Sequence, residues 1–311
     1  MVDSSSGRVT ETKKHSQFVD FFRRLVKEKP LGTFGAVVTL LLLLTGILAD
    51  FITPYGMNEA LPLDFLTGPS AAHWLGTDQI GRDLLTRIIY GARVSVIVGL
   101  AATSLATFYS VVIGVTTGYI GGKFDLVVQR FVDAWMSLPG LIVYMMIISV
   151  VGAGMWSLII VLGLGGIVGS RVIRGTVIGI KENVYVAAAR AIGCSTPRVL
   201  AKHILPNIMH VIIITFSMSL PGTIMAEASL SFIGFGIPSP TPSWGGMLAG
   251  SSRSYMFQAP WMAIWPGLAL AIVVYSINMF GDAMRDLLDP RLRGGIGRYG
   301  VKVKKEVLRK K

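Results

Sequence analysis

The chain has 311 residues, of which 52% are hydrophobic and only 15% are charged, and its formal net charge is +12. Because soluble domains carry about 25% charged residues and disordered segments have low hydrophobicity, the composition excludes both classes. Its single cysteine, Cys194, rules out an intrachain disulfide, and its four histidines lack the spacing of a metal site.

Six stretches of the sequence are apolar enough to cross a bilayer, because a hydrocarbon core about 30 Å thick requires about 20 helical residues. They lie at about 31–52, 94–120, 138–151 with an extension to 154, 156–172, 208–235 and 261–280. The third and fourth are nearly adjacent, so we expect them to form a hairpin. The first follows a long basic segment and lacks a small-residue cleavage site, so we interpret it as an uncleaved helix.

The basic residues predict the orientation of these spans. Of the 29 lysines and arginines, 25 fall before the first span, after the second and fourth, or in the tail after the sixth. The positive-inside rule therefore places both termini on the cytoplasmic side of the membrane. This distribution explains the net charge without a nucleic-acid surface, and membrane lipid is the expected contact of the basic segments.

Two polar segments lie on the external side. In the first, Thr77 or Asp78 as a helix cap and the apolar spacing that follows predict a short amphipathic helix over 78–90 at the membrane surface. Asp78, Arg82 and Asp83 are the candidates for a gate or ligand contact there, and a bracing role for the helix is the alternative. The second segment, 236–260, is rich in proline and glycine and is not expected to contain regular structure.

The cytoplasmic loop over 171–206 predicts two short helices. The first is alanine-rich, covers 182–191 and ends near Gly193; the second begins at Thr196 and is expected to stop at Pro206. DNA binding by this pair of helices is not expected, because both lie within a few residues of membrane spans and cannot enter a DNA groove. A smooth alanine face instead suits docking in a groove of a partner protein, with Tyr185 as an anchor. The alternative is a connecting hairpin that packs on its own bundle.

Few ionisable residues lie inside the spans, and Glu227, near the outer end of the fifth, is the chief exception. A charge at that depth makes it a functional candidate, and pairing that holds a gate together is the alternative. One acidic residue is weak support for a proton relay. The competing function, an ion-gradient-driven secondary transporter or a channel, requires ionisable residues at the midplane of several spans.

The remaining patterns predict no chemistry in this chain. Gly165 and Gly169 form a GxxxG pair suited to close helix packing, and the sequence contains no GxxxxGK[ST] motif. No nucleophile–base pair is found in the spans, so no catalytic residue is predicted. We expect Trp244 and Trp261 to lie in the aromatic belt of the membrane interface.

Several motifs resemble those of ABC-importer permeases. The sequence over 185–193, with 203–207, resembles the EAA loop of these proteins, and 73–83, 90–93, 226–234, 240–245 and 281–291 are similar to C-type permeases of dipeptide, oligopeptide and nickel importers. The loop departs from the family at Ala187, where glutamate is usual. The corresponding ATPase-coupling candidates are Tyr185, Val186, Ala187, Ala188, Ala189, Arg190, Ala191, Gly193 and Pro206.

The resemblance implies a type I ABC-importer fold, an all-α integral membrane protein with six transmembrane helices and a cytoplasmic coupling helix. Its segments would be a basic cytoplasmic stretch (1–30), the first span with the external amphipathic segment (31–93), a five-helix core with the EAA-like loop 181–206 (94–280) and a basic cytoplasmic tail (281–311). Such a permease forms half of a path for di- or oligopeptides. The implied partners are a homologous B-type permease, two ABC ATPase subunits that bind ATP and Mg²⁺, and an extracytoplasmic peptide-binding protein.

Overall fold

The computed structural model describes residues 17–288, and the regular structure in that range is helical apart from one isolated bridge between Thr77 and Asp83. Two single turns, a 3-10 turn over Pro62–Asp64 and a π turn over Leu200–Ile204, accompany the α-helices. The α-helices are α1 (Gln17–Glu28), α2 (Pro30–Ile47), α3 (Ala49–Ile52), α4 (Leu84–Ile120), α5 (Gly122–Met136), α6 (Gly140–Val151), α7 (Met155–Gly163), α8 (Gly166–Lys181), α9 (Val184–Ala191), α10 (Thr196–Val199), α11 (Leu205–Ile233), α12 (Trp244–Leu248), α13 (Ser251–Ser254) and α14 (Trp261–Leu288).

The spanning helices agree with the expected number. Five are long and apolar enough to cross a membrane: Pro30–Ile47, Leu84–Ile120, Met155–Lys181, Thr196–Ile233 and Trp261–Leu288. The helices α5 and α6 meet at an angle of 89° and provide a sixth span if the bent pair crosses together. The short turn after α6 leads directly into α7, which gives the expected hairpin.

The separate amphipathic helix expected over 78–90 is absent, and so is the expected start of the second span at 94. The carboxylate of Asp83, rather than Thr77 or Asp78, caps a helix by accepting a bond of 2.8 Å from the Thr86 amide. Gly81 has a φ of +77°, which prevents a helix from beginning earlier. Helix α4 then runs without a break for 37 residues, so the segment boundary between 93 and 94 lies inside it.

The centre of the bundle is the contact between α4 and α8. A Cβ atom on Gly166 would collide with the carbonyl group of Ala106, and one on Gly169 would lie 2.6 Å from Ser110 Oγ. Ser110 Oγ also donates to the Gly166 carbonyl at 2.6 Å. Gly166 and Gly169 therefore allow close packing of α8 on α4, whereas Gly165, the other member of the predicted GxxxG pair, faces the Tyr144 hydroxyl instead.

Helices α1, α2 and α14 meet at one end of the bundle. Leu25 of α1 is buried with Ala283 and Leu287, and Lys29 forms an ion pair with Asp286. At the other end of α2, Arg93 Nη2 of α4 lies 2.8 Å from Asp50 Oδ2. The start of the first span and the end of the last therefore lie on the same side, opposite to the start of α4.

The segment 236–260 contains two short helices, contrary to expectation. Ser243 caps α12 by accepting a bond of 3.1 Å from the Gly246 amide. Three prolines precede the cap and lie outside the helix, so they do not interrupt it. Trp244 is not in an aromatic belt, because it is fully buried and its Nε1 donates to the Ile88 carbonyl at 3.1 Å.

Candidate functional site

The predicted coupling helix is α9, which lies at the end of the bundle formed by the last turns of α4 and α8. It begins after Asn183 rather than at Glu182, and it ends before Gly193, whose φ is +82°. Val186 and Ala189 are its buried residues. They pack into a cluster completed by Val115, Ile173, Val177, Val199, Ile204 and Ile208. This packing attaches α9 to three spanning helices at once.

The opposite face of α9 is exposed and uncharged over most of its length. Ala187, Ala188 and Ala191 lie on it, and it is flanked by Val184 and Ile192, which are 85% and 81% exposed. Sequence reasoning missed these two side chains, although an apolar residue at each end of an alanine run was visible in the sequence. The exposed face therefore consists of small residues between two larger apolar ones.

Two aromatic contacts position the rest of this loop. The ring of Tyr185 lies 6.5 Å from that of His203, and the Arg190 guanidinium lies 4.8 Å from the centre of the Tyr119 ring. The predicted anchor Tyr185 is 42% exposed. The tyrosine therefore covers part of the helix that follows α9 and also remains accessible.

The second helix of the loop does not stop at Pro206, and Thr196 does not cap it. Ser195 occupies the N-cap position, and the chain stays helical from Thr196 through the π turn into α11. The π turn makes Pro206 one of the first residues of α11, where a missing amide hydrogen is tolerated. The loop is therefore joined rigidly to the fifth span.

The external candidates Asp78 and Arg82 form a buried pair. Arg82 Nε donates to Asp78 Oδ2 at 2.6 Å, and the Arg82 amide donates to Asp78 Oδ1 at 3.0 Å. Arg87 Nε lies 3.7 Å from the same Oδ2 atom. All three side chains are less than a tenth exposed. Sequence analysis did not single out Arg87, which lies one turn inside α4.

Asp83 belongs to a different network. Besides capping α4, its Oδ1 lies 3.0 Å from His73 Nδ1, and His73 Nε2 lies 3.4 Å from Asp64 Oδ2. Thr77 Oγ1 donates to the Asp64 carbonyl at 2.5 Å. These bonds fold the loop that precedes α4 onto the start of that helix. Asp83 therefore has a bracing role, and its role as a gate or ligand contact stays a prediction.

Glu227 is completely buried near the outer end of α11. Its carboxylate accepts bonds from Ser231 Oγ at 2.7 Å and Ser95 Oγ at 3.3 Å, and the Ser243 hydroxyl also faces it. In the part of the chain that the structure describes, its partners are hydroxyls and not a cation. The residue thereby links α4, α11 and the cap of α12, and its role in a gate stays a prediction.

A cavity of about 340 Å³ opens among the spanning helices. Within the described residues its lining contains no charged side chain. Hydroxyl groups and glycines dominate instead, among them Thr107, Ser110, Tyr144, Gly165, Thr215, Ser219, Gly222 and Thr223. Sequence reasoning did not identify these residues, because they come from four separate spanning segments.

The spanning bundle, its uncharged cavity and the exposed helix α9 at one end define a membrane permease. Residues 110–294 match the family model described as the binding-protein-dependent transport system inner membrane component. The chain belongs to this family, so it is a multi-pass inner-membrane protein and the permease subunit of an importer. This confirms the resemblance found in the sequence, and the family does not support a gradient-driven transporter.

Relatives with assigned names extend over nearly the whole chain. It is 34% identical to the dipeptide transport system permease protein DppC of Alkalihalophilus pseudofirmus, over 89% of this chain and 91% of that one. It is also 34% identical to the oligopeptide transport system permease protein OppC of Bacillus subtilis, over 86% and 88%. The glutathione transport system permease protein GsiD of Pectobacterium atrosepticum is 34% identical, over 88% and 91%.

A structure of the inward-facing MetNI methionine ABC transporter superposes on 62% of this chain and 94% of that one, with 21% identity and a TM-score of 0.46. A second crystal form covers 66% and 98%, with 20% identity and a TM-score of 0.47.

Proposed function

We propose that this chain is the C-type permease of an ATP-driven peptide importer, in which it forms half of the translocation path. The relatives that cover most of the chain are permeases for dipeptides, oligopeptides and glutathione, which are all peptides. A second, homologous permease would supply the other half. An extracytoplasmic binding protein would deliver the peptide, and two ABC ATPase subunits would bind the ATP and Mg²⁺.

The observation that carries this proposal is the geometry of α9. Its exposed alanine face suits insertion into a groove of an ATPase subunit, because small side chains allow close approach and lose little entropy. Its buried residues Val186 and Ala189 pack against α4, α8 and the start of α11. A displacement of α9 therefore moves the ends of these helices together, which is what coupling to nucleotide-driven closure requires.

The docking contact depends on shape and apolar burial more than on charge. Ala187 stands where the family usually has glutamate, so an ionic contact from that position is not available. Val184 and Ile192 offer apolar side chains at the two ends of α9 instead. Tyr185 adds an amphipathic anchor beside them.

The proposed orientation follows from charge and packing together. The ion pair between Lys29 and Asp286 puts the start of the first span and the end of the last on one side. Helix α4 runs away from the opposite side, so α9, at its C-terminal end, shares the side of Lys29. Because 25 of the 29 basic residues occur in the sequence segments predicted to be on this side, we assign it to the cytoplasm.

The uncharged cavity suits a peptide cargo. Hydroxyl groups and backbone carbonyls can exchange hydrogen bonds with the main chain of a peptide whatever its side chains are. No fixed charge would hold or reject a charged side chain during passage. Selection of the cargo can therefore belong to the binding protein.

The test is reconstitution of the chain with the permease, ATPase and binding-protein products of neighbouring genes in proteoliposomes. We expect the ATPase subunits to copurify with the chain and uptake of a labelled dipeptide to require ATP hydrolysis. A matched complex carries an ATPase that binds but does not hydrolyse ATP. Uptake that persists in this control contradicts the proposal.

A further inference from the structure

A second cavity, of about 200 Å³, lies between the start of α4 and the segment that leads to α12. Its charged lining residues are Asp78, Arg82 and Arg87, and each is less than a tenth exposed. Thr241 and Ser243 contribute hydroxyl groups to the same wall. The cavity is thus a polar site outside the hydrophobic part of the bundle.

The charges around this cavity do not balance. Arg82 takes the closest position on Asp78, with Nε 2.6 Å from Oδ2. Arg87 Nε is 3.7 Å from that oxygen, beyond hydrogen-bond distance, and Arg87 Nη1 lies 3.4 Å from two neutral acceptors, the Pro240 carbonyl and Asn58 Oδ1. Two buried guanidinium groups therefore share one carboxylate, which leaves an excess of one positive charge.

Neighbouring acids in the described part of the chain do not supply the missing charge. Asp83 is occupied by His73 and by the amide of Thr86. Glu227 reaches the other side of Ser243, where it accepts bonds from hydroxyls, and it does not line the cavity. A buried, incompletely paired guanidinium is costly and forms strong paired bonds with a carboxylate.

We infer that this cavity binds a carboxylate group, with Arg87 as its principal partner. The inference rests on the proposed function, because it takes the cavity to lie on the external side, where peptide and binding protein arrive. The carboxylate has two possible sources there. One is the C-terminal group of a peptide, and the other is an acidic side chain of the docked binding protein.

The first arm of the test measures binding of the small molecule. Calorimetric titration of the assembled transporter in nanodiscs, without binding protein, compares dialanine with dialanine amide. Dialanine amide should bind at least about tenfold more weakly than dialanine. Arg87→Gln should weaken the binding of dialanine by a similar factor, as expected for the loss of one charge-assisted bond. Arg93→Gln is the matched control, since Arg93 lies on the same helix but pairs with Asp50 outside the cavity.

The second arm measures how tightly the binding protein docks on the transporter. Its concentration for half-maximal stimulation of ATP hydrolysis should rise about tenfold in Arg87→Gln, but not in Arg93→Gln, if the carboxylate comes from a protein side chain. A change in the first arm alone identifies the peptide terminus as the source. If Arg87→Gln matches Arg93→Gln in both arms, the inference is wrong.

A second pair of variants covers the case in which Arg87→Gln does not assemble. Thr241→Asp introduces a carboxylate into the cavity, and Thr241→Asn is its neutral counterpart. The aspartate variant should have a higher thermal midpoint than the asparagine variant, and it should bind dialanine no more tightly than dialanine amide. A midpoint no higher than that of the asparagine variant overturns the inference. If the unaltered complex shows no ATP-driven uptake, the proposed function is wrong. If uptake is normal but the Arg87 and Thr241 variants show none of the expected effects, only the carboxylate site is wrong.

Discussion

Replacement of Gly193 by valine tests the coupling loop most directly. Gly193 follows α9 with a φ of +82°, and its amide donates to the Arg190 carbonyl at 2.9 Å. A Cβ atom built there meets no heavy atom within 4 Å. The penalty is therefore one of backbone conformation and not of packing.

The size of the effect follows from that conformation. A left-handed backbone costs an ordinary residue about 1–2 kcal/mol, and a β-branched residue more, whereas asparagine tolerates it better. Since about 1.4 kcal/mol is a factor of ten in an equilibrium, Gly193→Val should depopulate the native turn at least about tenfold. Gly193→Asn should have a much smaller effect, and Gly193→Ala should lie between them.

The assay is peptide-stimulated ATP hydrolysis together with copurification of the ATPase subunits. Gly193→Val should lose coupling, while membrane insertion and the thermal midpoint of the bundle change little, because the turn lies outside the spans. Equal coupling for valine and glycine would refute the reasoning. Equal loss for asparagine and valine would also refute it, because the defect would then not depend on the left-handed conformation.

The remaining predictions concern other parts of the bundle. Glu227→Gln replaces one acceptor oxygen with a donor, so it should lower the thermal midpoint by the equivalent of about 1 kcal/mol and reduce uptake with assembly intact; unchanged uptake removes the gate role. Gly166→Leu should prevent assembly, measured by size exclusion, because its Cβ meets the α4 backbone, whereas Gly222→Ala, with open space around it, should assemble normally. The hydrogen bond from Arg93, and to a smaller extent the one from Tyr90, lowers the pKa of the Asp50 carboxyl. Its contribution to stability is therefore present above the usual carboxyl pKa of about 3.9 and is lost as the pH falls through the lowered value. Thermal midpoints of the parent and Asp50→Asn should accordingly differ at neutral pH and converge only in strong acid.

The spans and the coupling loop could be predicted because their signals are local. A stretch of about 20 apolar residues has few alternatives to a membrane helix. The position of Gly193 in a turn followed from the end of an alanine-rich helix. The predicted pair of Gly165 and Gly169 was right only for Gly169, because Gly166 and not Gly165 meets α4.

The start of α4 was missed because the cap was assigned to Thr77 or Asp78, and Asp83 was not considered as a cap. Asp78 and Asp83 are both suitable N-cap residues, and the apolar periodicity that begins at Leu84 directly follows Asp83. Gly81, with its positive φ, was the signal that favoured Asp83. At the cytoplasmic side, the π turn that accommodates Pro206 has no comparable mark in the sequence.

The two cavities could not be predicted, because each combines residues that are distant along the chain. Arg87 and Thr241 share a wall only after the segment before α12 has packed on α4. Likewise, burial of Trp244 depends on the space beside Gly91, where a Cβ atom would lie 3.0 Å from the indole. A tryptophan near a predicted span end otherwise favours the membrane interface.

Helix α4 spans far more than the bilayer, since its 37 residues extend about 55 Å. It meets α8 closely at Ala106 and again at Gly114 and Gly118, so about 33 Å of its length precedes this contact and about 21 Å lies along it. A tilt of α4 would therefore carry α8 with it, and the tip at Leu84, which is farthest from the contact, would move most. A force on α9, which packs on the last turns of both helices, would then reach the opposite end of the bundle through the length of α4, without any relay of side chains between the two ends.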